Sequence, residues 1–317
     1  MSDSGYYIVY GSDANCTLAL CPVEWSILTY QPSVPANSVF IALFVVALVI
    51  HLVEGIRWRH TLGGFAIPMI IGCIDEILGY VGRLIMHGNP FSFNGFLMQI
   101  ICITTAPVFF CAAIYITLAR TIDFLDPTLA RFNPKFLYWI FIPCDVVSLV
   151  FQAAGGALSS TSTGDDNIGV NMSLFGLAFQ VFTLIIFIAL SIDYLIRYFR
   201  ANRGRPAQHA NMIHSNPTRF RIFAVGLCAA IIFVLVRCIY RIDELSEGYD
   251  GALFHNEPVF YGLESAMITL AVFCLTLGHP GFGLHSNNEQ IFQEQGRGQF
   301  AMEMTSGSSD EAKRSSV

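Results

Sequence analysis

The sequence predicts an all-α polytopic membrane protein: a seven-transmembrane-helix bundle with its N-terminus outside and its C-terminus in the cytoplasm. Three observations lead there. Hydrophobic residues make up 54% of the 317 residues and charged residues only 13%, where a soluble domain carries about 25% charged residues; mean hydropathy is +0.56. Seven apolar stretches are each long enough to cross a hydrocarbon core, which takes about 20 residues. Threaded through the membrane, they leave fourteen of the 17 basic residues on one side, and Lys and Arg accumulate on the cytoplasmic side.

The elements follow in order. Residues 1–36 read as an extracellular tail ending in "YQPSVPAN", whose prolines favour an extended approach to the membrane. The tail has neither the basic start nor the sustained apolar run of a cleavable signal, so the first helix acts as the targeting segment. Cys16 and Cys21 stand in an oxidising compartment, either closed into a small disulfide loop or left as two separate thiols. "NCT" at Asn15 and "NMS" at Asn171 are glycosylation sequons on the outer side, while "NPT" at Asn216 on the inner side is disabled by Pro217. The transmembrane domain, residues 37–281, holds spans at about 37–56, 62–86, 94–120, 134–158, 170–196, 219–242 and 258–278. Pro68, Pro107 and Pro143 interrupt the second, third and fourth helices. Trp25, Trp58 and Trp139 fall at the predicted interfaces, where indole rings prefer to sit. The Arg-rich fifth connection, residues 197–221, reads as a solvated face or as a contact for anionic inner-leaflet lipids. Residues 282–317 read as a disordered cytoplasmic tail whose serines can accept phosphate.

The stretch "MIIGCIDEILGYVGRLIM" at 69–86 is apolar enough to span, yet it carries Asp75, Glu76 and Arg83. An insertion scale charges about 2.5–3.5 kcal/mol for each central Asp, Lys or Arg. Asp75, Glu76, Asp145, Glu264, Arg83 and Arg237 therefore have to face one another or a polar cavity. Helical spacing favours convergence: Glu76 and Arg83 share a stripe, as do Asp145, Ser148 and Gln152, and Arg237, Arg241 and Glu244. With Gln99, Gln180 and Glu264 on the inward-running helices, six helices offer polar side chains between the midplane and the outer face. Buried ion pairs that only hold the bundle together would produce the same pattern. The alternative is a polar cavity that binds substrate through Glu76, Arg83, Gln99, Asp145, Gln152, Gln180, Arg237, Arg241 and Glu264.

Several function classes find no support. No basic tract interleaved with aromatics suggests nucleic acid. Lys135 and Lys313, the two lysines, lack the context of a phosphate-binding loop, so direct ATP drive is not expected. Membrane-level histidine is limited to His51 and His279; His279 and His285 are six apart across Pro280, which is not the geometry of a helical zinc pair. Neither a cofactor nor a catalytic residue is expected, and the chain reads as a non-enzyme whose partners are membrane lipids and an amphiphilic small molecule.

The motifs "EILGYVGR" (Glu76–Arg83), "APVFFCAAIY" (Pro107, Tyr115), "DVVSLVFQAAGG" (Asp145, Gln152), "GLAFQ" (Gln180), "RCIYRIDE" (Arg237, Arg241, Glu244), "NEPVFYGLE" (Glu257, Tyr261, Glu264) and "HPG" at 279–281 occur in this order. Together they resemble the fungal RTA-like family, the lipid-translocating exporters, from Tyr30 to Gly281. Cys238 stands where the family pattern has Ser, which removes a hydroxyl between the two arginines. The resemblance implies seven helices with an outer N-terminus, and the plasma membrane is the expected location of the chain. It also implies export or flipping of sphingoid bases, resistance to amino-sterols and other toxic amphiphiles, and in one branch porphyrin and haem traffic. Two mechanisms fit those roles: translocation of the amphiphile, with proton coupling through a midplane carboxylate such as Asp145, or lipid sensing by a seven-helix receptor that signals through the Arg-rich connection.

Overall fold

A computed structural model describes residues 7–9, 11, 14–58, 62–161, 168–202, 217–248, 251 and 253–283. The expected tail from residue 284, and residues 203–216 of the Arg-rich connection, lie outside the described residues. Seven helices are long and apolar enough to cross a membrane. They are α1 (Val34–Arg57), α2 (Ile67–Gly88), α3 (Phe93–Leu125), α4 (Lys135–Thr161), α5 (Ile168–Asn202), α6 (Pro217–Ser246) and α7 (Glu257–Leu277). Each expected span matches one helix, and the chain is an integral multi-pass membrane protein.

The bundle is inside-out relative to a soluble protein. Val45, Val46, Val49, Val53 and Ile56 of α1 point outward, as do Ile71, Ile74, Leu78 and Ile85 of α2. With lipid as the outer solvent, close packing and internal polar contacts have to hold the helices together. α2 shows how the sequence achieves this. Its buried face carries Gly72, Glu76, Gly79, Tyr80, Gly82 and Arg83, small and polar residues at helical spacing. A Cβ at Gly82 would stand 2.9 Å from the backbone nitrogen of Gln99, so only glycine lets α2 lie this close to α3.

Each helix packs on the next, and α7 closes the ring against α1. α3 also touches α6 and α7 and is the inner helix of the bundle. Pro107 and Pro143 lie inside α3 and α4, while Pro68 sits at the start of α2, just after a π-helical turn at Leu62–Ala66. A second π-helical turn, Phe260–Ser265, interrupts α7. Such turns add a residue to the helical ladder, re-aim the side chains around them and are common at functional sites.

Residues 14–33 fold over the end of the bundle where α1 begins, called here the N-terminal end. Cys16 and Cys21 form a disulfide and pack on Phe91. Leu28 is buried among Met86, Phe96 and Phe254. Asn15 is exposed on this segment, and Asn171 is exposed in the first turn of α5. Trp25 and Trp139 are exposed near opposite ends of the bundle.

Candidate functional site

Of the charged and amide side chains singled out in the sequence, Glu76, Arg83, Gln99, Asp145, Gln152, Gln180, Arg237, Glu244 and Glu264 are buried and Arg241 nearly so, whereas Asp75 is half-buried and joins none of the groups they form. There are four such groups. The first surrounds Arg83, which is 1% exposed. Its Nε donates to Asn37 Oδ1 at 3.1 Å, and its Nη2 donates to the Tyr30 hydroxyl at 3.0 Å. Nη2 also pairs with Glu257 Oε1 at 3.5 Å. That carboxylate oxygen accepts from the Tyr261 hydroxyl and the Ser33 amide as well, each at 2.8 Å. The guanidinium lies 4.2 Å from the centroid of the Phe260 ring, a cation–π contact. Burial pushes the Tyr30 phenol above its ordinary value against the opposing pull of Arg83, so it remains a neutral acceptor. The arrangement ties the N-terminal segment, α1, α2 and α7 into one knot.

The second group is an ion pair between α6 and α7. Arg237 donates to Glu264 Oε1 through Nε at 3.0 Å and Nη2 at 2.5 Å, and Nη2 also reaches the Ile103 carbonyl of α3 at 3.0 Å. Both side chains are 1% exposed. Glu76, fully buried, lies within electrostatic reach of both. One turn along α6, Arg241 Nη1 pairs with Glu244 Oε2 at 2.5 Å, and the other oxygen of Glu244 accepts from the Tyr240 hydroxyl. Arg241 is 12% exposed and also meets Thr104 of α3.

The third and fourth groups lie between α3, α4 and α5. Asp145 accepts from the Tyr115 hydroxyl at 2.9 Å and the Thr183 hydroxyl at 3.3 Å. Ser148 turns back to the Asp145 carbonyl. Gln152 donates to Gln180 Oε1 at 3.2 Å, and its carbonyl accepts from Ser173.

Two cavities open beside these groups. A cleft of about 20 Å³ is lined by Tyr30, Arg83, Gln99, Thr104, Arg241 and Glu244, among others. A far larger cavity, about 890 Å³, lies between α3, α4, α5 and the end of α6. Its wall is mostly apolar, with Phe96, Ile100, Leu149 and Val150, and its polar points include Thr104, Gln152, Ser173 and Arg241. Arg241 borders both spaces. Of the nine expected binding residues, Arg83, Gln99, Gln152 and Arg241 therefore stand at a cavity wall. Glu76, Asp145, Gln180, Arg237 and Glu264 line neither cavity.

Comparison with known proteins agrees with the motifs. A family model described as "RTA1 like protein" matches residues 69–287. The chain belongs to the RTA1-like family. Within it, the chain is 31% identical over 288 residues to "Sphingoid long-chain base transporter RSB1" of Saccharomyces cerevisiae, covering 82% of this chain and 75% of that protein. It is 29% identical to "Protein RTM1" of the same yeast, over 69% of this chain and 68% of that one. Identity to the yeast "Protoporphyrin uptake protein 1" is 25%, over 78% and 90% of the two chains. No solved structure matches the chain.

Sequence reasoning passed over Asn37, Thr104 and Thr183 and gave no role to Tyr30. Tyr30 and Asn37 are the first and last residues of the quoted "YQPSVPAN", and a polar amide in the first turn of a very apolar helix was the available signal. Thr104 and Thr183 gave none, because threonine is unremarkable in a membrane helix.

Proposed function

We propose that this chain is a membrane translocator of amphiphilic lipids, with sphingoid long-chain bases as its substrate class. The observation that carries the reading is the cavity of about 890 Å³, with its apolar wall and Arg241 at its border, beside the adjoining cleft that Glu244 lines. An alkyl chain fits along Phe96, Ile100, Leu149 and Val150. The ammonium head competes with Arg241 for Glu244, and the hydroxyls meet Thr104 and Gln152. Arg83 and Gln99 border the adjoining cleft, while the Arg237–Glu264, Asp145 and Gln180 contacts hold the walls in place. The name of the yeast sphingoid base transporter supports the substrate class. The protoporphyrin uptake relative favours a second ligand type, a flat amphiphile whose carboxylates would pair with Arg241.

The proposed orientation has the N-terminal end outside, in the plasma membrane. A disulfide at that end and basic residues concentrated at the other support it. The test is reconstitution of the purified chain into vesicles with a labelled sphingoid base or a labelled phosphatidylcholine. Faster leaflet transfer of the sphingoid base than in protein-free vesicles is expected; equal rates would count against a translocator.

A further inference from the structure

Six buried polar atoms gather between α2, α6 and α7. Both carboxyl oxygens of Glu76, Oε2 of Glu264 and Nη1 of Arg237 have no hydrogen-bond partner, and the hydroxyls of Tyr80 and Ser265 have only each other within reach. Every one of these five residues is at most 1% exposed. Glu264 and Ser265 stand on the π-helical turn of α7, Glu264 within electrostatic reach of Glu76 and Ser265 within reach of the Tyr80 hydroxyl on α2. The cluster holds two carboxyls and one guanidinium, and Glu264 already takes two of that guanidinium's donors. Further groups act on Glu76 from the elements around it. α2 contributes its own Asp75, half-buried, together with Cys73 and Tyr80, and α3 contributes Cys102. α1 presents the rings of Phe40 and Phe44, stacked on Tyr80. Arg241 and Glu244 of α6 act on Glu264, and Arg83 of α2 acts on Tyr80, but Arg237 is the one cation that acts on Glu76. An unpaired carboxylate here would be a buried, unsolvated anion, a state proteins avoid by neutralising the group.

We propose that Glu76 is a proton-binding site and that its carboxyl carries one proton in the arrangement seen here. The proton exchanges with bulk water. When it leaves, Glu76 becomes the second anion beside Arg237, whose Nη1 is the donor that can turn to it. Arg237 is then shared between α2 and α7, where before it served α7 and the Ile103 carbonyl of α3. Because one residue joins the two arrangements, a single proton biases how α2, α6 and α7 pack. Asp145 is the poorer candidate: two hydroxyls already donate to its carboxylate, so it has partners as an anion.

The test needs no substrate and so stands apart from the transport reading. The full chain in detergent is compared with Glu76→Gln and Glu264→Gln by infrared spectroscopy of protonated carboxyls and by thermal unfolding in sodium or choline chloride. Wild type is expected to show at neutral pH a protonated-carboxyl band that Glu76→Gln loses. Glu76→Gln, which copies the neutral group, is expected to unfold at the wild-type temperature, while Glu264→Gln unfolds well below it. A band unchanged in Glu76→Gln overturns the proposal. So does a Glu76→Gln chain that fails to fold or is as unstable as Glu264→Gln. A wild-type unfolding temperature that rises with sodium but not choline overturns it too, by assigning the charge to a metal cation. If Glu264→Gln does not fold, Glu76→Gln against wild type decides alone.

Discussion

Two ion pairs sit one turn apart on α6, and they have different surroundings. Arg237 and Glu264 join two helices, are both 1% exposed and border neither cavity. Arg241 and Glu244 lie on the same helix, and Arg241 borders both cavities. Four residues separate the arginines, a rise of about 6 Å along the helix. The difference teaches that an intramembrane charge is not by itself a binding group. The inner pair has given up its freedom to packing, while the outer pair keeps a face toward space that a ligand can enter.

Removing one partner separates the two most sharply at Arg237. Arg237→Ala leaves Glu264 buried without its counterion, and loss of such a partner costs about 3–5 kcal/mol. A large fall in the thermal unfolding midpoint in detergent is expected, and replacing both partners by apolar residues should recover part of it. The Arg83 knot comes next. Tyr30→Phe removes one acceptor from a guanidinium that keeps Asn37 and Glu257, with an expected loss of about 1.5 kcal/mol. Chemical unfolding would measure it, and a wild-type midpoint would mean that the N-terminal segment is not fastened through Tyr30. Arg241→Gln should be milder, about 1 kcal/mol, because Arg241 stands at a cavity wall and the Glu244 left behind keeps the Tyr240 hydroxyl. Its larger effect is expected on ligand affinity, so a variant with wild-type binding would erase the contrast between the pairs.

The seven spans were legible because a helix in lipid must satisfy its own backbone and show apolar side chains outward. The need to shelter Glu76, Arg83, Asp145 and Arg237 was legible for the same reason. Their partners were not. Glu76 and Arg83 share a stripe, but seven residues put them two turns apart. Arg83 turns to Tyr30, Asn37 and Glu257, while Glu76 faces Glu264 and Arg237. The stripe of Arg237, Arg241 and Glu244 likewise divides, because Arg237 finds its acid on α7. Spacing within one helix reports a shared face, whereas ion pairing depends on the depth and rotation of the next helix. The π-helical turn at Phe260–Ser265, which aims Phe260 at Arg83 and Glu264 at Arg237, left no periodic trace in the sequence.

The smallest expected effect on stability belongs to the most direct test of the cavity. Gly156 borders the space between α3, α4 and α5, and a Cβ there would meet no atom within 4 Å. Gly156→Leu therefore fills the cavity without disturbing the wall, and it replaces glycine by a residue that favours helix by about 0.8 kcal/mol. Binding of a fluorescent sphingoid base to the purified chain is expected to weaken by about tenfold or more, a cost of at least 1.4 kcal/mol, with the unfolding midpoint unchanged or slightly raised. Wild-type affinity in a folded Gly156→Leu chain would contradict the placement of the lipid in that cavity.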